Sequence, residues 1–150
     1  MTPVEALAKA PLFREFTETG LKIFASIALD RVIPAGSPVF VESMVGESFF
    51  IVKSGTVRIT QKTPAGELEI GTLGPGDHVG QLALLGKGVR LVSAIAATQC
   101  EVLEITQRDF AKLQPQKPQA CLKLALAIAA DLAQRISENR DLLQGIAQKK

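Results

Sequence analysis

At 150 residues the chain has the length of one ordinary domain, enough to bury about two thirds of the surface its unfolded form would expose. Its 17 Lys and Arg residues against 15 Asp and Glu nearly cancel, which argues against a strong nucleic-acid or membrane field. Cys100 and Cys121 lack metal-ligand spacing and read as reduced thiols of a cytoplasmic protein, and a single histidine, His78, argues against a histidine-built metal site.

The opening MTPVEALAKAPLF carries Glu5 and no long apolar run, so no secretory signal is expected. Residues 1–30 read helical: Val4, Leu7, Leu12 and Phe13, then Leu21, Phe24, Ile27 and Ala28, recur at helical spacing. From residue 31 to 106 the texture changes. The apolar runs RVI, PVFVE, SFFIV, TVRIT, ELEIGTL, VSAIAA and EVLEIT are separated by turns such as Pro64-Ala65-Gly66 and Gly74-Pro75-Gly76-Asp77. The connections are too short for crossover helices, so the strands must pair antiparallel. The expected fold class is therefore α+β: an antiparallel, jelly-roll-like β roll of about eight strands, flanked by N-terminal helices and a long C-terminal helix, as one domain over residues 1–150.

Within the roll, GDHVGQLALLGKGVRLVSA (residues 76–94) breaks the strand pattern. Gly80 precedes a single helical turn, Gln81 to Leu85, whose first three or four N–H groups have no intrahelical partner. Glycine lets a ligand approach that backbone, and Arg90 can fold back across it after Gly86-Lys87-Gly88. Free amides beside a guanidinium suit a phosphate with a neighbouring hydroxyl. The other reading is a glycine-rich corner carrying a surface arginine. His78 is expected as a partly exposed turn residue, Glu47 as a solvated charge with the alternative of holding Arg90 in place, and Lys87 as either a solvated charge or one that adds to a phosphate site.

Residues 107–150 read as C-terminal helices. No Gly or Pro falls between Pro118 and Gly145, which predicts a helix of roughly 30 residues and ~45 Å, longer than such a domain is wide. Leu122, Leu126, Ala129, Leu132, Ile136, Leu143 and Ile146 form its apolar stripe. The whole stripe packing on the chain's own β body is one reading; the preferred one is a homodimer through Leu132, Ile136, Asn139, Leu143 and Ile146, with Asn139 as a polar residue that fixes register. Lys123 and Asp131 interrupt the most apolar stretch, which is too short for a membrane span. The closing QKK is too short for a DNA-binding domain, so no nucleic-acid contact is expected from this chain, which either stands alone and acts through a protein partner or is a fragment of something longer. No nucleophile–base or paired-carboxylate pattern suggests an enzyme.

PAGSPVF (34–40), GESFFIVKSGTVRI (46–59), LGPGDHVGQLALL (73–85) and VRLVSAIAATQCEVLEI (89–105), with Asp109-Phe110 and Pro118, together resemble the cyclic nucleotide-binding domains of the catabolite activator protein and kinase regulatory-subunit type. The resemblance covers residues 12–136. The family's phosphate-binding cassette reads Gly-Glu-Leu-Ala-Leu-Leu, a short insert, then Pro-Arg-Ser/Thr-Ala; residues 80–92 keep Gly80, Leu82, Ala83, Leu84, Leu85 and Arg90. The resemblance implies that Arg90 holds the cyclic phosphate, with Gly80, Leu82, Ala83, Leu91 and Val92 around it, and that residue 81 meets the ribose 2′-hydroxyl. Gln81 replaces the family glutamate and loses charge assistance, a cost of about 1 kcal/mol, so Gln81→Glu is expected to tighten binding. Leu91 stands where a small or hydroxyl residue is usual, a further cost of about 1 kcal/mol. It also removes the family's route to cyclic GMP preference, leaving cyclic AMP or another cyclic nucleotide as the expected ligand. The alternative is a domain that keeps the fold but serves as a protein–protein interaction module.

Overall fold

Thr2 starts the first helix, α1 (Pro3–Lys9), by accepting from the Glu5 N–H while Glu5 reaches back to the Thr2 N–H. This reciprocal cap, with proline at the first helical position, satisfies donors that a helix start otherwise leaves open. The computed structural model describes residues 1–86 and 88–139. A 3-10 turn (Pro11–Phe13) and α2 (Glu18–Ala25), capped by Thr17, complete the N-terminal layer. Phe13, Phe16 and Phe24 meet there at ring separations of 4.9 to 5.7 Å.

The strands are β1 (Leu29–Ile33), β2 (Pro38–Phe40), β3 (Ser48–Ser54), β4 (Val57–Thr63), β5 (Gly66–Leu73), β6 (His78–Val79), β7 (Ser93–Ala96) and β8 (Cys100–Thr106). They form two four-stranded sheets, ordered β1-β8-β3-β6 and β2-β7-β4-β5, and every pairing is antiparallel. The α+β class, the β roll and its eight strands are as the sequence predicts.

Strands β3 and β8 organise the interior because both of their faces are covered. Alternate side chains point to opposite faces of a strand. Phe50, Val52, Cys100 and Val102 therefore face the other sheet, packing with Ile33, Val57, Ala94 and Ala96. Phe49, Ile51, Leu103 and Ile105 face the helices and pack with Leu7, Phe13 and Phe24. Each of the Val, Leu, Ile and Phe side chains among them, fully buried, contributes about 1.5–3 kcal/mol. Gly55 closes the β3–β4 hairpin at φ +88°, where a Cβ would lie 2.5 Å from the Gln99 carbonyl oxygen; only glycine fits.

After β8, α3 (Gln107–Leu113) is capped by Thr106 and leads to α4 (Pro118–Glu138). Cys121, Leu124 and Ile128 of α4 are buried in the helical core, and Leu132 packs partly against it. Leu122, Leu126 and Ile136, at 60%, 62% and 59%, are exposed. The apolar stripe read from the sequence thus divides in two: Leu132 belongs to the line facing the chain's own core, and Ile136 to the outward one. The expected helix of roughly 30 residues is described over 21. Asn139 is its C-cap, and its side-chain amide turns back to donate to the Arg135 carbonyl at 2.7 Å. Leu143 and Ile146 lie outside the described residues, as does Lys87.

Candidate functional site

The turn between β6 and β7 builds the site. Gly80 takes φ +81°, a left-handed conformation that carries no penalty without a Cβ, and turns the chain into a 3-10 helix (Gln81–Leu84). Sequence reasoning expected three or four open amides here. The tighter turn leaves fewer, because the Ala83 N–H already donates to the Gly80 carbonyl at 3.0 Å. Leu84 and Ala83 are buried, and Leu84 joins the helical core, which fixes the short helix in place.

Arg90 reaches back toward this helix, as the spacing suggested. Its backbone is pinned on both sides: its N–H donates to Met44 O at 2.7 Å and its carbonyl accepts from Ser43 N at 2.9 Å. One guanidinium nitrogen donates to the Ser48 carbonyl at 2.6 Å, and the group lies 4.1 Å from the Phe40 ring centroid. Two glycines make room for it. A Cβ at Gly80 would stand 2.6 Å from Arg90 Nη1, and one at Gly46 would stand 3.0 Å from Nε.

No carboxylate among the described residues pairs with Arg90. The nearby Glu104 is engaged elsewhere, accepting from the Ser48 hydroxyl at 2.6 Å and from Arg31 at 2.7 Å. Glu47 is exposed. Burial pushes the Arg90 guanidinium below its ordinary value and Glu104 partly offsets this, yet a guanidinium remains cationic at neutral pH. The result is a half-buried cation whose hydrogen-bonded partner is a carbonyl.

That cation borders a cavity of about 650 Å³ walled by Gly46, Gly80, Gln81, Leu82, Ala83, Leu91 and Val92, among others. The volume falls within the usual ~300–1,000 Å³ of small-molecule sites. All seven residues assigned to the site from the sequence therefore line one cavity. Leu91 is 70% exposed, so its bulk lies at the mouth.

Gln81 is 8% exposed, and its side-chain amide donates to Asp131 Oδ2 on α4 at 3.0 Å. The same oxygen lies 3.1 Å from His78 Nε2 and 3.0 Å from Arg135 Nε. Sequence reasoning placed His78 in a partly exposed turn. It is instead a buried residue of β6, its ring 5.9 Å from that of Phe49. The reason is Asp131, which gives the ring a polar partner and lets it be buried. Asp131 itself was missed. The available signal was an acid inside an otherwise apolar helical run, which has to find donors. Burial pulls its carboxyl upward, but the hydrogen bond and charge of His78 and the charge of Arg135 outweigh this and leave it below its ordinary value. Among the described residues no acidic, histidine and cysteine cluster could hold a metal ion, and no helix is long and apolar enough to cross a membrane.

Comparison with known proteins identifies the domain. The cyclic nucleotide-binding domain family profile matches residues 30–116. The cyclic AMP receptor protein of Thermus thermophilus is 32% identical over 130 residues, covering 86% of this chain and 58% of that protein. The cGMP-dependent protein kinase, isozyme 1, of Drosophila melanogaster is 32% identical over 114 residues, 73% of this chain and 15% of the kinase. The crystal structure of the Thermus thermophilus catabolite activator protein superposes with a TM-score of 0.81 at 30% identity, over 92% of this chain and 63% of that one. The chain thus spans less than two thirds of these relatives.

Proposed function

The chain belongs to the cyclic nucleotide-binding domain family, and on that premise we propose that it is a regulatory sensor of cyclic AMP, or a related cyclic nucleotide, that signals through α4. The observation that carries this reading is Arg90. A half-buried guanidinium with no carboxylate partner among the described residues, held between two glycines at the wall of a cavity, is suited to pair with one anion. A cyclic phosphate supplies that charge in a compact form, and planar guanidinium donors match its oxygens. The open amides at the start of the 3-10 helix add donors on the same side. Gln81 lies in the wall where the ribose hydroxyl would come, and the apolar surfaces of Leu82, Leu85, Val89 and Leu91 would cover the base.

The signalling half rests on α4. Leu122, Leu126, Ala129, Ala133 and Ile136 repeat at spacings of four and three along its exposed side, the seam of a coiled-coil pair. We infer a homodimer through this line, which replaces Leu132 by Ala133 in the seam read from sequence. The two free, buried cysteines suit a reducing compartment such as the cytoplasm.

The direct test is calorimetric titration with cyclic AMP and cyclic GMP, supported by thermal melting, since the chain has no Trp and no Tyr and its own fluorescence is weak. Saturable binding of cyclic AMP is the expected result. An absence of heat and of any melting shift at millimolar nucleotide would overturn the sensor reading and leave the interaction module.

A further inference from the structure

Three donors converge on one oxygen of Asp131. Gln81 Nε2, His78 Nε2 and Arg135 Nε lie 3.0, 3.1 and 3.0 Å from Oδ2. A carboxylate only accepts, so its partner on Gln81 must be the NH₂ end of the amide, and that contact settles which way the amide is turned. With the nitrogen engaged, the carbonyl oxygen is the end of the amide that remains to accept, on a residue that lines the cavity. We propose that Asp131 is a positioning residue of the ligand site: it anchors the Gln81 amide from α4, turns its oxygen toward the ligand hydroxyl, and makes glutamine the residue that site requires.

The proposal rests on the nucleotide-sensor reading above and reverses an expectation drawn from sequence alone. Taken by itself, Gln81→Glu restores a charged acceptor and should tighten binding. Beside Asp131 the same change removes a donor and sets two carboxylates about 3 Å apart, a spacing at which both cannot stay ionised. Either the introduced glutamate keeps the contact by taking up a proton, whose cost at neutral pH is drawn from binding, or it swings away and the acceptor is no longer held toward the ligand. The negative charge sits one residue further from the ligand than in the family pattern, on the helix rather than on the cassette. His78 and Arg135 hold Asp131 in place from the sheet side and from one turn along the helix.

The test is a double-mutant cycle on the full chain, with cyclic AMP binding by calorimetry and unliganded melting read on the same four proteins. Q81E is expected to weaken cyclic AMP binding by about tenfold, the scale of coupling between residues in direct contact. D131N, which keeps an acceptor oxygen for Gln81, is expected to cost less. The pair Q81E/D131N should recover most of the affinity lost in Q81E, because the amide introduced on α4 can donate to the carboxylate introduced on the short helix, a rescue that a purely structural aspartate would not give. Q81E binding more tightly than the parent, or additive effects across the cycle, would overturn the proposal. Should the parent bind no nucleotide, the sensor reading and the ligand half of this proposal fall together. The melting cycle still decides the pairing: non-additive midpoints uphold the 81–131 contact and additive ones reject it. If Q81E alone does not fold, its recovery by D131N is that same non-additive result.

Discussion

Arg90→Ala separates what the site costs the free protein from what it offers a ligand. In the unliganded chain the substitution removes the hydrogen bond to the Ser48 carbonyl and the stacking on Phe40. Leaving that carbonyl unpartnered costs about 1–3 kcal/mol and the lost stacking roughly 0.5–1 kcal/mol. Against this, a half-buried cation without a carboxylate partner carries a desolvation penalty of several kcal/mol, which the variant no longer bears. The two nearly cancel, so the unliganded melting temperature should stay within about 4 °C of the parent, given ~2–4 °C per kcal/mol for this size. Binding has no such offset. Removing one partner of a buried charge pair costs about 2–5 kcal/mol, or roughly 30-fold to several thousandfold in Kd. Cyclic AMP at a hundred times the parent's Kd should raise the parent's melting temperature by roughly 5–10 °C and the variant's by no more than about 3 °C. Circular dichroism melts with and without nucleotide, alongside calorimetry, read both halves. A variant that binds cyclic AMP like the parent would refute the assignment of the phosphate to Arg90.

Gly80→Ala should lose about 1–3 kcal/mol through its positive φ and weaken binding as well, because the new Cβ drives into Arg90 Nη1 and the Ser48 carbonyl; melting and titration should fall together. Leu126→Glu with Ile136→Glu should convert a dimer to monomers by light scattering, since both side chains lie on the exposed line of α4; a monomeric parent would remove the helix-pair reading. For Asp131, whose carboxyl is held below its ordinary value, the linked stability is present above the unfolded value near 3.9 and is lost as pH falls through the lower folded one. Asp131→Asn should therefore flatten the acid limb of the stability curve below about pH 4, and an unchanged limb would contradict the network drawn around it.

The parts of the fold that were legible are those where one local pattern determines one outcome. Strands β3 and β8 read as strands because their apolar runs are long and bounded by turn residues, although the sequence does not reveal that each serves two cores. Strand β6 was not legible: two residues, His78 and Val79, carry no alternation to detect, and the element exists only because β3 pairs with it. Gly80 and Arg90 were legible because a glycine before a helical turn and an arginine across a short insert restrict the backbone by themselves. The split of the α4 stripe was not. Leu132 and Ile136 are equivalent in one-dimensional spacing, and only the position of the helical core decides which turns inward. Asp131 was hidden for the same reason, since two of its three partners, His78 and Gln81, lie 53 and 50 residues away.

Those distant partners also tell how a bound nucleotide could be felt at the C-terminal helix. The short helix of the site touches α4 by two means. Leu84 shares the apolar cluster of Cys121, Leu124 and Ile128, and Gln81 shares the carboxylate of Asp131. The first is non-directional and tolerates sliding, whereas the second is directional and breaks when either partner rotates. A ligand shifts α4 only by as much as it binds two arrangements of that contact differently. A hydrogen bond to a charged group is worth about 1.5–3 kcal/mol, so breaking or making it spans roughly a 10- to 150-fold change in the equilibrium. That range matches the coupling typical of allosteric domains. Under the proposed function, a single amide–carboxylate contact between residues 81 and 131 is then large enough to carry the signal to the exposed seam on the far side of α4.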